Sequence, residues 1–322
     1  MKILTPCNRL EAIEDMHRSG AEEFYMGFYG KSWQEQFGSY SDINRLTLFK
    51  DVANRYTLQD IEKITKKVHA LKAAIYITLN APGYLREQER YLEAFLEKLS
   101  EYGVDGIIIS TPDLIPLVLK HHLQPVASTM CGVVNSEIAG IYAERGVQRL
   151  ILPRELSLQE IESIMTKVPY VQYEAFLMRN GCRYMDANCL GIHGGECGAI
   201  CATIRSQAAR YYGYYTPDVY ENAVKVLQTN AMIGRYYHEY ACGQCAIYAL
   251  NEMGVHAVKI VGRLDQMTDV MRDVKLTRDN IEIAKKCTCQ EQYLHQMIRP
   301  ENESDYCREG LSCYYPEARY GR

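Results

Sequence analysis

The chain has 322 residues, 47% hydrophobic and 24% charged, with a formal net charge of −4. That balance is ordinary for a folded globular protein. It argues against a broadly basic nucleic-acid binder or a binder of acidic membranes, while leaving room for a local basic groove. No stretch approaches the ~18 consecutive apolar residues of a membrane span. The opening M-K-I-L-T-P-C-N-R-L-E-A is charged too soon for a signal peptide, so a cytoplasmic protein without membrane contact is expected.

In chain order, short apolar runs alternate with amphipathic stretches. Strands are predicted at Met1–Leu4, Glu23–Met26, Ala74–Leu79, Gly106–Ile109, Pro125–Ser128, Arg149–Leu152, Val171–Phe176 and Ala257–Val261. Helices are predicted over 58–71 and 89–102; in the first, Ile61, Ile64, Val68 and Leu71 recur at helical spacing behind the N-cap candidate Thr57. Ser157 plays the same part for L-Q-E-I-E-S-I-M. The phrases G-V-D-G-I-I-I-S, G-V-Q-R-L-I-L-P and G-V-H-A-V-K-I-V each read as a helix ending at glycine followed by a buried strand. Eight such strands separated by helices predict a (β/α)8 TIM-barrel-like α/β fold rather than a doubly wound sheet. The barrel is expected over 1–286, with a Cys-rich insertion at 178–245 after the seventh strand. A Cys- and Tyr-rich extension, 287–322, is expected to wrap back on it.

In that fold chemistry collects at the C-terminal strand ends. Here those ends carry Gly27, Asn80, Ser110, Ser128, Arg154, Glu155, Glu174 and Lys259 to Arg263, a mixture suited to a small polar ligand. Ser110 and Ser128 serve equally well as helix caps.

The twelve cysteines are the strongest chemical signal. In a reducing compartment they point to metal ligation or redox chemistry before disulfides. Cys131, among apolar neighbours, reads as a buried small hydrophobe. Cys182, Cys189, Cys197, Cys201, Cys242 and Cys245 place six thiols within 182–245 in Gly-rich chain. That density suits a soft metal, either a closed four-ligand zinc site or an iron–sulfur cluster. The tail thiols Cys287, Cys289, Cys307 and Cys313 are expected to stand singly. No Walker A loop, H-E-x-x-H helix or G-x-S-x-G elbow is present. His193 lies near several thiols, but nothing positions it as the base of a nucleophile pair.

Several segments, in order, resemble peptidase family U32. They are G-A-E-E-F-Y-M-G (20–27), N-R-Y-T (54–57), Y-I-T-L-N (76–80), S-T-M (128–130) with Asn135, R-E-L (154–156), E-A-F (174–176) ahead of Cys182, and K-I-V-G-R (259–263). The resemblance spans nearly the whole chain. It implies a 4Fe–4S cluster on Cys182 and Cys189, a C-x6-C pair, with Cys197 and Cys242. A variant arrangement would enlist Cys201, and Cys245 is a further substitute.

The resemblance also implies oxygen-independent hydroxylation of a small aromatic molecule or an RNA base, with prephenate as oxygen donor. A U32 peptidase or a non-catalytic cluster-bearing partner subunit are the other readings. A homodimer, or a heterodimer with a related subunit, is implied as well.

On this reading Arg154, Glu155 and Glu174 are the candidate catalytic residues, and Asn80, Asn135, Lys259 and Arg263 would contact substrate. Arg154 and Arg263 would clamp a donor carboxylate through their planar guanidinium groups. Glu174 would act as a base or hold that arginine, or else belong to an internal ion-pair network. Met178-Arg179 in place of His-Gly, Asp186-Ala187 in place of Ser-Gly, Val261 in place of Glu, and a shortened Cys189–Cys197 interval depart from the family pattern around the mouth, where they bear on substrate choice.

Overall fold

The computed structural model describes residues 1–322 apart from 8, 29, 39–40, 48–49, 183–184, 190–220, 222–224, 226–236, 301–306, 308–309 and 320–322. Eight parallel strands close into one barrel in sequence order. They are β1 (Lys2–Pro6), β2 (Glu23–Met26), β3 (Ala74–Leu79), β4 (Gly106–Ile109), β5 (Gln124–Ala127), β6 (Arg149–Ile151), β7 (Gln172–Met178) and β8 (Ala257–Ile260). β1 pairs with β8, with Ile3 opposite Val258, which seals the ring. Three strands keep the bounds read from the sequence, and the others shift by one or two residues at an end. β1 runs two residues further, to Pro6, as does β7, to Met178. β7 carries a register shift between Phe176 and Met178 and gains an antiparallel bridge from Met178 to Cys242.

The strands are apolar throughout because both faces are covered: side chains fill the barrel inside and helices pack outside. The helix Leu58–Ala70 buries Ile61, Ile64 and Val68. It begins at Thr57, whose backbone N–H and hydroxyl both donate to the Asp60 carboxylate, at 3.0 and 2.7 Å. Ser157 starts the helix Leu158–Lys167 with a reciprocal box: Glu160 accepts from its backbone N–H at 2.8 Å while its hydroxyl accepts from the Glu160 N–H at 3.3 Å.

The recurrent Gly-Val ending has a geometric reason. Gly103 adopts φ +77, letting Val104 N–H turn back to Leu99 C=O at 3.1 Å before β4 begins. Val147 to Tyr142 and Val255 to Leu250 repeat the bond at 3.1 and 3.0 Å.

The chain's end lies against the seventh strand. The Tyr315 hydroxyl donates to Phe176 C=O at 2.9 Å and Tyr314 to Arg179 C=O at 2.6 Å. Tyr314 N–H donates to Cys242 C=O at 2.9 Å, and Cys242 N–H to Ser312 C=O at 2.9 Å. Among the described residues no helix is long and apolar enough to cross a membrane.

Candidate active site at the barrel mouth

The barrel interior is charged along its length. Near the N-terminal ends of the strands, Arg149 makes a two-pronged contact with Glu23, at 2.5 and 3.0 Å, and its guanidinium lies 4.8 Å from the centre of the Tyr76 ring. Burial opposes ionisation of Glu23, yet His256, 3.6 Å away, and the hydrogen bonds and charge of Arg149 hold its carboxyl down at about 2. One layer up, Lys259 Nζ donates to Glu174 Oε1 at 2.9 Å and stands 4.2 Å from the centre of the Tyr25 ring. Glu174 Oε2 is 3.6 Å from Arg149 and makes no hydrogen bond. Glu174 therefore belongs to an internal ion-pair network and holds Lys259; it does not hold Arg154, as one sequence reading supposed. Burial lowers the Lys259 ammonium below the ordinary lysine range, and the charge and hydrogen bond of Glu174 counter only part of that.

The top layer is built on arginines. Arg263, 8% exposed, donates to the Thr78 hydroxyl at 3.3 Å, and burial pulls its guanidinium down to about 10. It fits only because residue 27 is glycine. A Cβ there would lie 2.2 Å from Asn54 Oδ1 and 2.7 Å from both Arg263 Nη1 and Asn44 Nδ2. Asn44 donates to Asn54 at 2.9 Å beside it. Asn80 accepts from Arg45 N–H at 3.3 Å and reaches toward Ser128 Oγ at 3.5 Å, so it lines the same layer.

Arg154 lies 4.2 Å above the Phe176 ring and 3.0 Å from Asp186 Oδ2. Asp186, 1% exposed, is also met by Arg45 at 2.7 Å and by the Thr129 hydroxyl at 3.0 Å. Burial opposes its ionisation, but the charges of Arg154 and Arg45 and the hydrogen bonds from Arg45 and Thr129 prevail and lower its pKa. Sequence reading noticed Asp186 only as a departure from the family's Ser-Gly. A carboxylate next to metal-ligand cysteines, with arginines unassigned elsewhere, was the signal available.

Two expected site residues stand apart. Glu155 is exposed. The Asn135 side chain accepts from Ile138 N–H at 2.9 Å and so caps the helix Ser136–Glu144. Ser128 caps a short 3-10 turn by accepting from Met130 N–H at 3.3 Å.

Of the four expected cluster ligands, Cys182, Cys189 and Cys242 are half-buried. Cys197, together with Cys201 and His193, lies outside the described residues. Cys182 and Cys189 flank the turn Asp186–Asn188, and Cys189 N–H donates to Asp186 C=O at 3.0 Å. The Asp186 ion pairs thus fasten the loop between them to the mouth, and Cys182 lies close enough to Arg154 to act on its charge. As a donor set these thiols suit a soft metal. Among the described residues, no three His, Cys, Asp or Glu side chains are disposed to hold a metal ion as they stand.

Cys307 and Cys313 lie within electrostatic reach of each other and of Cys242. Burial raises the Cys242 thiol well above its ordinary value, and the buried thiols Cys7 and Cys131 are each pushed up to about 12. Thiols so raised are poor nucleophiles.

The fold and its mouth define a (β/α)8 barrel protein with a cationic polar site beside the Cys182–Cys189 turn. The sequence profile of Peptidase family U32 matches residues 8–320, and the chain belongs to that family. Over 192 residues it is 26% identical to tRNA hydroxylation protein P of Helicobacter pylori, a match covering 59% of this chain and 42% of that one. It is 23% identical over 281 residues to the Escherichia coli 23S rRNA 5-hydroxycytidine C2501 synthase, covering 84% of this chain and 37% of that one. The chain therefore spans about two-fifths of the length of these relatives. A solved U32 peptidase aligns with a TM-score of 0.44 at 13% identity, over 55% of this chain and 69% of that one.

Proposed function

We propose that this chain is an oxygen-independent RNA-base hydroxylase whose reaction takes place at the C-terminal mouth of the barrel. The observation that carries the reading is the buried cationic layer of Arg45, Arg154, Arg263 and Lys259 beside the Cys182–Cys189 loop. The relatives named for tRNA and rRNA hydroxylation support the substrate class.

Each side chain has a distinct task. Arg154 and Arg263 would bind a carboxylate-bearing oxygen donor of the prephenate type, since planar guanidinium groups recognise carboxylates bidentately. Stacking on Phe176 keeps the Arg154 plane fixed. Lys259, desolvated and aimed by Glu174, would hold the charge that develops on the donor or the base. Glu174 is accordingly a positioning residue. Asn80 sits where an amide can meet a base edge.

Cys182, Cys189 and Cys197 would hold a 4Fe–4S cluster, with Cys242 or Cys201 in the fourth place. Bound there, it would supply a Lewis-acidic or redox iron next to the donor site. A thiol peptidase is disfavoured at Cys7 and Cys131 by their raised pKa values.

The test is nucleoside mass spectrometry of tRNA and rRNA from cells lacking the gene. A hydroxylated pyrimidine should vanish, return with the wild-type gene, and stay absent with Arg154→Ala or Lys259→Met. Unchanged nucleoside profiles in both RNA pools would overturn the proposal.

A further inference from the structure

The geometry points to Lys259 as a covalent catalyst, whose amine forms a Schiff base with the ketone of a 2-oxo acid. A prephenate-type donor carries such a 2-oxo carboxylate group. The inference therefore rests on the proposed donor site and deepens it, giving the donor a chemical bond and a point of attachment.

The placement of the amine is the first observation. Lys259 lies on β8 with its side chain 7% exposed, and Nζ is 2.9 Å from Glu174 Oε1 and 4.2 Å from the centre of the Tyr25 ring. Two residues on, where the family pattern has Glu, this chain has the buried Val261, so no carboxylate comes from that position. Burial favours the neutral amine; Glu174 opposes that, and the charges of Arg263 and Arg149 reinforce it. A lysine desolvated beside other cations is suited to act as a nucleophile.

The second observation is the half-used carboxylate. Glu174 Oε1 accepts from Lys259, whereas Oε2 is buried and makes no hydrogen bond. A buried polar atom left without a partner is an exception that calls for a reason. Here it gives the lysine proton a place to go and a place to return from.

The third is the spacing to Arg263. Lys259 stands over Tyr25 on β2, and Arg263 Nη1 lies 2.7 Å from where a Cβ on Gly27 would be, two residues further along the same chain. Two residues of strand span about 6.6 Å. An amine bonded to a ketone carbon and a guanidinium hydrogen-bonded to the adjoining carboxylate stand about that far apart. Arg263 would thus take the carboxylate while Lys259 takes the ketone.

In the step itself, Glu174 accepts a proton from the Lys259 ammonium, and the freed lone pair attacks the ketone carbon, breaking its C=O π bond. A proton left on nitrogen moves to the ketone oxygen, giving a carbinolamine. Glu174 returns its proton to that hydroxyl, the C–O bond breaks, and water leaves as the nitrogen lone pair closes the iminium. One ammonium and one ketone become one iminium and one water, with no change of oxidation state. The donor is then fixed by its 2-oxo end, without contact to the end that bears the transferable oxygen.

The experiment incubates the full chain with phenylpyruvate and sodium borohydride, which reduces an imine to a stable secondary amine. Intact-mass measurement should show one reduced adduct per chain, and peptide mapping should place it on Lys259. Lys259→Arg, which keeps a cation opposite Glu174, should carry none. Glu174→Gln keeps the lysine and removes the proton acceptor, so trapping should slow by ~100-fold. Adducts spread over surface lysines with Lys259 unmodified would overturn the proposal, as would a Glu174→Gln variant trapped as fast as the wild type. A trapped Lys259 with unchanged cellular nucleosides would sink the RNA reading alone. A nucleoside lost with the gene and no adduct on Lys259 would sink the Schiff base alone.

Discussion

Arg154 and Asp186 form a buried ion pair, 3.0 Å between Nη1 and Oδ2, that joins the end of β6 to the loop between Cys182 and Cys189. Asp186 is also bound by Arg45 and Thr129, so one carboxylate ties three parts of the mouth together. Asp186→Ala leaves two guanidinium groups facing a vacated pocket. Removing one partner of a buried ion pair costs about 3–5 kcal/mol. The expected result is a loss of that order in denaturant unfolding, together with loss of the proposed base hydroxylation. Asp186→Ala combined with Arg154→Met should recover part of the stability and none of the activity.

Glu23 gives the barrel a defined acid limit. Its carboxyl is held at about 2 in the folded protein against an ordinary 4.5. The folded state therefore binds fewer protons than the unfolded chain between those values, and stability falls as pH falls. The contribution is fully present above pH 4.5 and is lost as pH drops toward 2. At 1.36 kcal/mol per pH unit it is worth about 3 kcal/mol. Stability measured by denaturant across that window should fall more steeply in the wild type than in Glu23→Gln. The variant should be less stable near neutrality and converge with the wild type in acid. Parallel curves would exclude the assignment.

The fold was legible because its determinants are local. The short apolar runs, the 3.6-residue periodicity, the caps Thr57 and Ser157, and the Gly-Val endings each act over a few residues, and the structure keeps all of them. The order of strands then follows from chain order in a closed parallel barrel. Site residues were legible where a strand end aims them inward, as with Glu174, Lys259 and Arg263. What failed was pairing. Glu174 could not be given to Lys259 rather than Arg154 without knowing which layer each occupies. Asp186 lies 32 residues from Arg154 in the chain, and its partner Arg45 is farther still. Asn135 and Glu155 share a polar character with true interior residues, and only helix geometry and exposure separate them.

Gly27 tests whether the arginine layer depends on close approach. Any Cβ there meets Asn54, Asn44 and Arg263 within 2.7 Å. Gly27→Ala must break the Asn44–Asn54 hydrogen bond or push Arg263 off Thr78. Overpacking of this kind costs about 1–3 kcal/mol. The melting temperature should fall accordingly, and hydroxylation should fall further than the stability loss explains. Gly83→Ala, where a Cβ meets nothing within 4 Å, serves as the control and should leave both unchanged.

Cys182 and Cys242 are expected to share one cluster, and the fold brings their chain neighbours together: a Cβ on Gly181 would stand 2.7 Å from Ala241 Cβ. Cys182 acts on the Arg154 charge at the mouth, and Met178, at the end of β7 before it, is bridged to Cys242. Protein purified without oxygen should carry on the order of four iron and four acid-labile sulfide per chain. Cys182→Ala should lose both, along with the visible absorption of the cluster. Cys242→Ala should lose both as well, because the family resemblance implies its thiol as the fourth ligand. Iron retained by Cys242→Ala would instead give the fourth position to Cys201.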